Sequence, residues 1–218
     1  MSSEPITPAE LYTTEFMTIE QQRRLTPDVV LEDLILGNKR FRQRKYTIRN
    51  HSEAIRRAAG GQFPKAFVLG CIDSRVPVED IFDQGMGDIF VGRVAGNIAT
   101  TDMIGSMEYA CQVAGARLIL VLGHEQCGAI KGAVEGLRLG SLTQLLEQLG
   151  PALERSDRLL YKGDKEAFVH QVAINNVRHS VSVIRSRSTI LRELEEEGTI
   201  RILGAIYNLS DGTVEFFE

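Results

Sequence analysis

Two short stretches of this 218-residue chain carry side chains that can bind a metal ion. The first, Cys71-Ile-Asp-Ser-Arg75, places a thiol, a carboxylate and a guanidinium within five residues. The second, about fifty residues later, is Gly123-His-Glu-Gln-Cys-Gly128. Zinc in proteins prefers four ligands drawn from cysteine sulfur, histidine nitrogen and carboxylate oxygen. The candidate zinc ligands are therefore Cys71, His124 and Cys127, with Asp73 as a possible fourth.

Arg75 follows Asp73 by two residues and can hold its carboxylate through two parallel hydrogen bonds. A carboxylate held in this way is less available to a metal, which leaves the fourth position for water. An open fourth position distinguishes a catalytic zinc site from a closed structural one. The remaining cysteine, Cys111, lies in an apolar helical stretch, and we interpret it as a small buried hydrophobe.

Each stretch follows an apolar run that is typical of a buried strand. From residue 65 onward strands alternate with helices, which predicts an α/β fold with a mostly parallel central sheet and helices on both faces. In such a sheet ligands bind beyond the carboxyl ends of the strands. A turn signal at 208–212 makes the C-terminal edge strand antiparallel. Strands are predicted at 66–70, 88–93, 117–122, 200–207 and 213–217, and helices at 77–83, 101–114, 128–137 and 141–149, with two more over 164–196.

The first sixty residues read as an N-terminal helical arm. A helix is expected from Pro8 to Arg24, and a stronger one follows a Thr26 cap. Gly37 leaves open whether this second helix is unbroken. We expect one domain over residues 1–218, with an arm at 1–60 that could wrap a neighbouring subunit and a zinc-binding α/β core at 61–218.

Composition limits the classes of function. The chain is 43% hydrophobic and 25% charged with a net charge of −4, which is ordinary for a soluble protein and argues against nucleic acid as a partner. No apolar run approaches the roughly 18 residues of a membrane span. Three cysteines do not make a disulfide framework, and no secretory signal is visible, so we expect a cytoplasmic protein without a membrane partner.

The sequence resembles the β-class carbonic anhydrases over about residues 26–218. The motifs that carry the resemblance are Cys71-Ile-Asp-Ser-Arg75-Val-Pro, Arg93-Val-Ala-Gly-Asn97 and Gly123-His-x-x-Cys-Gly128. The resemblance implies a zinc lyase that interconverts carbon dioxide and bicarbonate. It also implies a homodimer, or a tetramer built as a dimer of dimers, with active sites at the dimer interface.

The resemblance also implies a role for each matching position. Cys71, His124 and Cys127 become the Zn2+ ligands, and Asp73 and Arg75 become a dyad that orients the zinc-bound hydroxide for attack on carbon dioxide. Two thiolate ligands should make the zinc-bound water a weaker acid than three imidazoles would, so activity should rise on the alkaline side. The substrate-binding positions implied are Gln62, a hydrogen-bond donor to substrate oxygen; Phe90, Ala95 and Tyr109, which line an apolar pocket; and Gly128, which offers a backbone N–H near the metal.

Some features leave alternatives open. Val68 stands where a bicarbonate-inhibited form of the family has tryptophan, so we expect the non-allosteric type, with Asp73 off the metal near pH 7 and a closed form with Asp73 on zinc as the alternative. Glu125 stands where many members of the family have a small hydroxyl residue; we expect it to point outward, with a shift in the pKa of the zinc-bound water as the alternative. Competing functions are hydrolysis of carbonyl sulfide or carbon disulfide, a non-catalytic zinc protein with a closed site, and a nucleic-acid-binding module built on the basic segment 39–49.

Overall fold

A computed structural model describes Thr7, residues 16–161 and residues 163–217. Its centre is a five-stranded sheet with the strand order β2-β1-β3-β4-β5. The first four strands are mutually parallel, and β5 is antiparallel to β4, which confirms the predicted sheet. The strands are β1 (Ala66–Gly70), β2 (Ile89–Arg93), β3 (Leu118–His124), β4 (Arg201–Tyr207) and β5 (Val214–Phe217).

Ten α-helices fall within the described residues. A single wide π turn over Tyr109–Val113 extends the fifth helix, and short 3-10 turns cover Ala95–Asn97 and Arg158–Tyr161. The helices are α1 (Ile19–Arg23), α2 (Pro27–Arg42), α3 (His51–Ala58), α4 (Val78–Ile81), α5 (Thr101–Glu108), α6 (Gly128–Glu135), α7 (Gly140–Glu147), α8 (Gly150–Glu154), α9 (Lys165–Arg187) and α10 (Thr189–Glu196).

Several details differ from the sequence-based expectation. Of the helix predicted from Pro8 to Arg24, residues 8–15 lie outside the described residues, and the described part, 16–24, is helical only in α1. Helix α2 is unbroken, and Gly37 lets it approach the backbone of Phe82 more closely than any side chain would allow. The helix predicted at 141–149 is observed as α7, and the pair Gly150-Pro151 begins the separate helix α8, since proline fits the first turn of a helix.

Helices cover both faces of the sheet, as predicted. Successive side chains of β3 alternate between two buried cores: Ile119 and Val121 pack on the side of α9, whereas Leu118 and Leu120 pack on the side of α2. Helix α9 lies close to the sheet because Val177 occupies the space over two strand glycines. A Cβ atom at Gly123 or Gly204 would lie only 2.6 Å from a Val177 methyl group.

The N-terminal helices are joined to the core by buried charges. Lys65, just before β1, forms an ion pair with Asp33 of α2 at 2.9 Å, and both side chains are only 3% exposed. Nearby, Arg40 and Arg49 both bind the buried carboxylate of Asp83. Two cations of the basic segment 39–49 therefore hold the fold together. No helix among the described residues is both long enough and apolar enough to cross a membrane.

Candidate metal centre

The strand ends bring the predicted ligands together. Cys71 directly follows β1, and His124 is the last residue of β3, which pairs with β1 in parallel. Cys127 is the residue that precedes the first turn of α6. The carboxyl ends of parallel strands meet at the same edge of a sheet, so side chains about fifty residues apart in sequence share one site.

The three side chains fit a metal ion. The two sulfur atoms lie 3.9 Å apart, and all three ligand atoms lie within 4.8 Å of one another in a buried site. Zinc–sulfur bonds of about 2.3 Å at tetrahedral angles would separate two sulfurs by about 3.8 Å. The Nε2 atom of His124 is buried and has no hydrogen-bond partner among the described residues. A buried imidazole nitrogen without a partner is the expected state of a metal ligand before the metal is added.

The ring orientation of His124 is fixed from its other side. Its Nδ1 atom lies 2.8 Å from the carbonyl oxygen of Glu125. A proton on Nδ1 then donates to that carbonyl and leaves the Nε2 lone pair free for a metal.

The two thiols are electrostatically unequal. A hydrogen bond from Cys127 holds the pKa of Cys71 well below its ordinary value, with smaller contributions from His124 and from the Gly96 amide. The same pairing, together with burial, raises the pKa of Cys127. The thiolate form of Cys71 is therefore favoured, which places one negative charge inside the cluster. Cys111 is buried outside it, and burial raises its pKa to about 12, in keeping with the interpretation of a small hydrophobe.

Asp73 and Arg75 form a closely bonded pair beside the cluster. The guanidinium of Arg75 donates to both Asp73 oxygens at 3.0 and 2.8 Å, and the Arg75 backbone amide adds a third bond at 3.0 Å. These bonds hold the pKa of Asp73 far below its usual range, against the opposing effect of partial burial. The nearer Asp73 oxygen lies 4.0 Å from Nε2 of His124. The carboxylate is thus next to the ligands but held by arginine.

Arg93 supports this arrangement from β2. Its guanidinium donates to the carbonyl of Cys71 at 2.8 Å and to that of Asp73 at 2.6 Å. Arg93 lies in one of the motifs that carry the family resemblance, but its part in holding the Cys71–Asp73 loop is visible only in the structure. Its position, paired with Gly70 at the end of β1, follows from the strand register.

The predicted substrate positions separate into two groups. Ala95 precedes Gly96, whose amide contacts Cys71, and Gly128 begins α6, so both lie beside the cluster. Phe90 and Tyr109 form an aromatic pair with ring centroids 6.3 Å apart, and Tyr109 is 53% exposed. Gln62 is exposed and precedes β1, at the opposite end of that strand from Cys71.

Three residues near the site carry no strong sequence signal. Asn176 and Ser180 of α9 donate to carbonyls of the turn that contacts Cys71. His170 lies 3.9 Å from the carboxylate of Glu125, beyond hydrogen-bond distance. None of the three stands at a recognisable spacing from the ligands, and only the fold brings them near.

Comparisons with known proteins agree with this geometry. A family model described as "Carbonic anhydrase" matches residues 66–214. Carbonic anhydrase 2 of Mycobacterium tuberculosis is 36% identical over 184 residues, covering 81% of this chain and 86% of that protein. The carbonic anhydrase of Mycolicibacterium smegmatis is 37% identical over 172 residues, covering 75% and 81%. A tetrameric β-carbonic anhydrase from Sordaria macrospora superimposes with a TM-score of 0.69 at 28% identity, covering 75% of this chain and 85% of that one.

Proposed function

This chain belongs to the β class of the carbonic anhydrase family, and from that membership we propose that it catalyses the zinc-dependent, reversible hydration of carbon dioxide to bicarbonate and a proton. The observation that carries the proposal is the buried cluster of Cys71, His124 and Cys127, in which the Nε2 atom of His124 has no other described partner. These three residues would hold the metal.

Zinc, when bound, lowers the pKa of water from about 15.7 towards about 7, so that hydroxide is available near neutrality. The two thiol ligands supply more negative charge than imidazoles would, and this opposes ionisation of the water. We therefore expect the rate to rise on the alkaline side of neutrality.

Asp73 and Arg75 are proposed to orient the nucleophile. Because Arg75 fixes the rotation of the ionised Asp73 carboxylate, the free lone pairs of Asp73 can accept a hydrogen bond from the attacking hydroxide. A hydroxide held by its proton directs an oxygen lone pair at the substrate carbon, which is a gain from orientation. The guanidinium also keeps Asp73 from taking the fourth ligand position, so the open form is the one proposed near pH 7.

The substrate pocket is proposed to be completed by a second copy of the chain. Ala95 and Gly128 stand beside the metal ligands of their own chain. Gln62 lies beyond the far end of β1, and Tyr109 is half exposed beside the edge strand β2. In a dimer formed across this edge, Gln62, Phe90 and Tyr109 would face the partner's site, where the amide could bind substrate oxygen. The tetrameric state of the Sordaria relative supports assembly from more than one copy of the chain.

The test is stopped-flow hydration of carbon dioxide on zinc-quantified protein, from about pH 6.5 to about pH 9, a range that brackets ionisation of the water. The wild type should accelerate hydration, increasingly so at higher pH. Cys127→Ala should lose both zinc and activity. Cys111→Ala, which removes a buried cysteine outside the cluster, is the matched control and should keep both.

Zinc at one per chain without hydration at any pH would contradict the proposal. Turnover of carbonyl sulfide by the same protein would then assign the site to sulfur substrates. No turnover of either carbon dioxide or carbonyl sulfide would indicate a structural metal site.

A further inference from the structure

The sulfur of Cys71 is contacted by a turn with an unusual backbone. The amide of Gly96 donates to Cys71 Sγ at 3.4 Å, in a buried position. Gly96 has φ of 73°, and the next residue, Asn97, has φ of 42°. Two successive residues in the left-handed region are uncommon, and outside glycine this conformation is disfavoured. The turn that aims this N–H at the sulfur therefore needs support from the rest of the fold.

That support comes from α9. The side-chain amide of Asn176 donates to the carbonyl of Gly96 at 2.7 Å, and the hydroxyl of Ser180 donates to the carbonyl of Asn97 at 3.2 Å. Both side chains are almost fully buried. They are four residues apart, so they lie on the same face of the helix and hold successive peptide units of the turn.

Between Asn176 and Ser180, helix α9 lies close to the sheet. Val177, which follows Asn176, fills the space over Gly123 and Gly204, so α9 cannot move closer to the strands. Gly123 directly precedes the proposed ligand His124. The position of the donors on α9 is thus set by the same strands that carry the ligands.

The two sulfurs differ in the source of their support. Cys127 directly precedes α6, so its place is set by the helix that it adjoins, and its sulfur accepts no capping hydrogen bond there. Cys71 depends instead on a turn about 25 residues away, which is held by a helix about 105 residues away. A change on α9 should therefore disturb the geometry around Cys71 more than that around Cys127.

We propose that Asn176 and Ser180 are positioning residues of the metal centre, which act through the Gly96–Asn97 turn to aim a backbone N–H at the sulfur of Cys71 and thereby set the affinity for the metal. The proposal rests on the proposed function only in taking Cys71 as a zinc ligand. Residues that hydrogen-bond to metal ligands and orient them commonly change the metal affinity by about 10- to 100-fold when they are removed.

The experiment compares three alanine variants of the full chain. Asn176→Ala and Ser180→Ala each remove one donor to the turn. Asn175→Ala is the matched control, since this neighbouring amide binds the carbonyl of Arg155 and the hydroxyl of Ser156 instead. Zinc affinity is measured by competition with a chelator, and cobalt-substituted protein reports the thiolate-to-metal absorption band. Thermal unfolding of the metal-free proteins measures stability separately.

We expect zinc affinity to fall by about 10- to 100-fold in Asn176→Ala, and in the same direction in Ser180→Ala, with an altered cobalt band in both. Asn175→Ala should keep wild-type affinity and spectrum whatever its stability. If all three variants lose stability but bind zinc as the wild type does, the two residues are merely structural and the proposal is refuted. A wild type that shows no thiolate–cobalt band would instead remove the ligand assignment itself, and with it the proposed function.

Discussion

Replacement of Arg75 by glutamine tests how the Asp73 carboxylate is held. Arg75 contributes three hydrogen bonds to Asp73: two from the guanidinium, at 3.0 and 2.8 Å, and one from its backbone amide at 3.0 Å. Of these three, the substitution removes the two guanidinium bonds, which together fix the rotation of the carboxylate; it also removes a longer guanidinium contact to the carbonyl of Gln126 at 3.5 Å. The backbone bond remains, so Asp73 should stay near its place but lose its defined orientation.

The size of the loss in activity depends on which hydrogen bonds to Asp73 remain in the variant. Loss of an orienting partner commonly costs about 10- to 100-fold, and we expect a decrease of that order in kcat/KM for Arg75→Gln. Asp73→Ala removes the hydrogen-bond acceptor itself, and a loss of about 10²- to 10³-fold is expected by analogy with the removal of one donor from a transition-state site. The two variants should therefore rank in that order. Zinc content should be unchanged in both, because neither residue belongs to the cluster of ligand atoms.

The pH dependence of the rate distinguishes a loss of orientation of the Asp73 carboxylate from a loss of its charge. Arg75 holds the pKa of Asp73 below its usual range. The stability that this ion pair contributes is therefore present above the unfolded pKa of about 3.9 and is lost as the pH falls further. Without Arg75 the pKa rises toward that value, yet Asp73 remains ionised at pH 7. The alkaline rise in rate should therefore keep its midpoint in Arg75→Gln while the plateau falls.

The assay is stopped-flow hydration with zinc measured on the same samples, and unfolding measured at pH 7 and below about pH 4, where an ordinary carboxyl group protonates. The difference in stability between wild type and Arg75→Gln should be present at pH 7 and shrink in acid. Wild-type kcat/KM in Arg75→Gln at full zinc occupancy would refute the dyad.

Two further predictions concern the scaffold. Lys65→Met should lower the free energy of unfolding by about 3–5 kcal/mol, because it leaves the buried Asp33 carboxylate without its cation, whereas Lys65→Met combined with Asp33→Leu should cost much less. Chemical denaturation of both variants checks this, and a double variant no more stable than the single one would contradict it. Removal of zinc with a chelator should leave the far-UV circular dichroism of the wild type unchanged, since the ligands lie at the ends of strands that a large core already holds. Loss of the helical signal on chelation would mean that the metal maintains the fold.

The strands and the cluster of candidate ligands could be predicted because their signals are local. The runs Ala66–Gly70 and Leu118–His124 are buried throughout and largely apolar, as is typical of strands covered on both faces, and the candidate metal ligands lie where each run ends. Helix α3 was missed because no residue of it is buried, so its sequence carries no need for an apolar stripe. Its Asn50 cap was a weak sign on its own.

The supports of the site could not be predicted for a different reason. Asn176 and Ser180 contact a turn about 80 residues away in sequence, and their hydrogen bonds leave no periodic pattern in α9. Gly123 and Gly204 look like weak points in strands until Val177 is seen to occupy the space above them. Each of these contacts depends on the distance between a helix and the sheet, a quantity that no single segment specifies.

The sequence separation of the ligands also sets an order of events during biosynthesis. In a zinc ribbon, neighbouring cysteines capture the ion while the chain is still unfolded, and binding drives folding. Here Cys71 has no partner until β3 has been synthesised and paired with β1, and the turn that supports its sulfur is completed only by α9, another fifty residues later. A zinc ion would therefore find its complete ligand set only in a folded protein. Newly made chains would wait in a folded, metal-free state, and the supply of zinc, not the rate of folding, would decide how much of the enzyme is active.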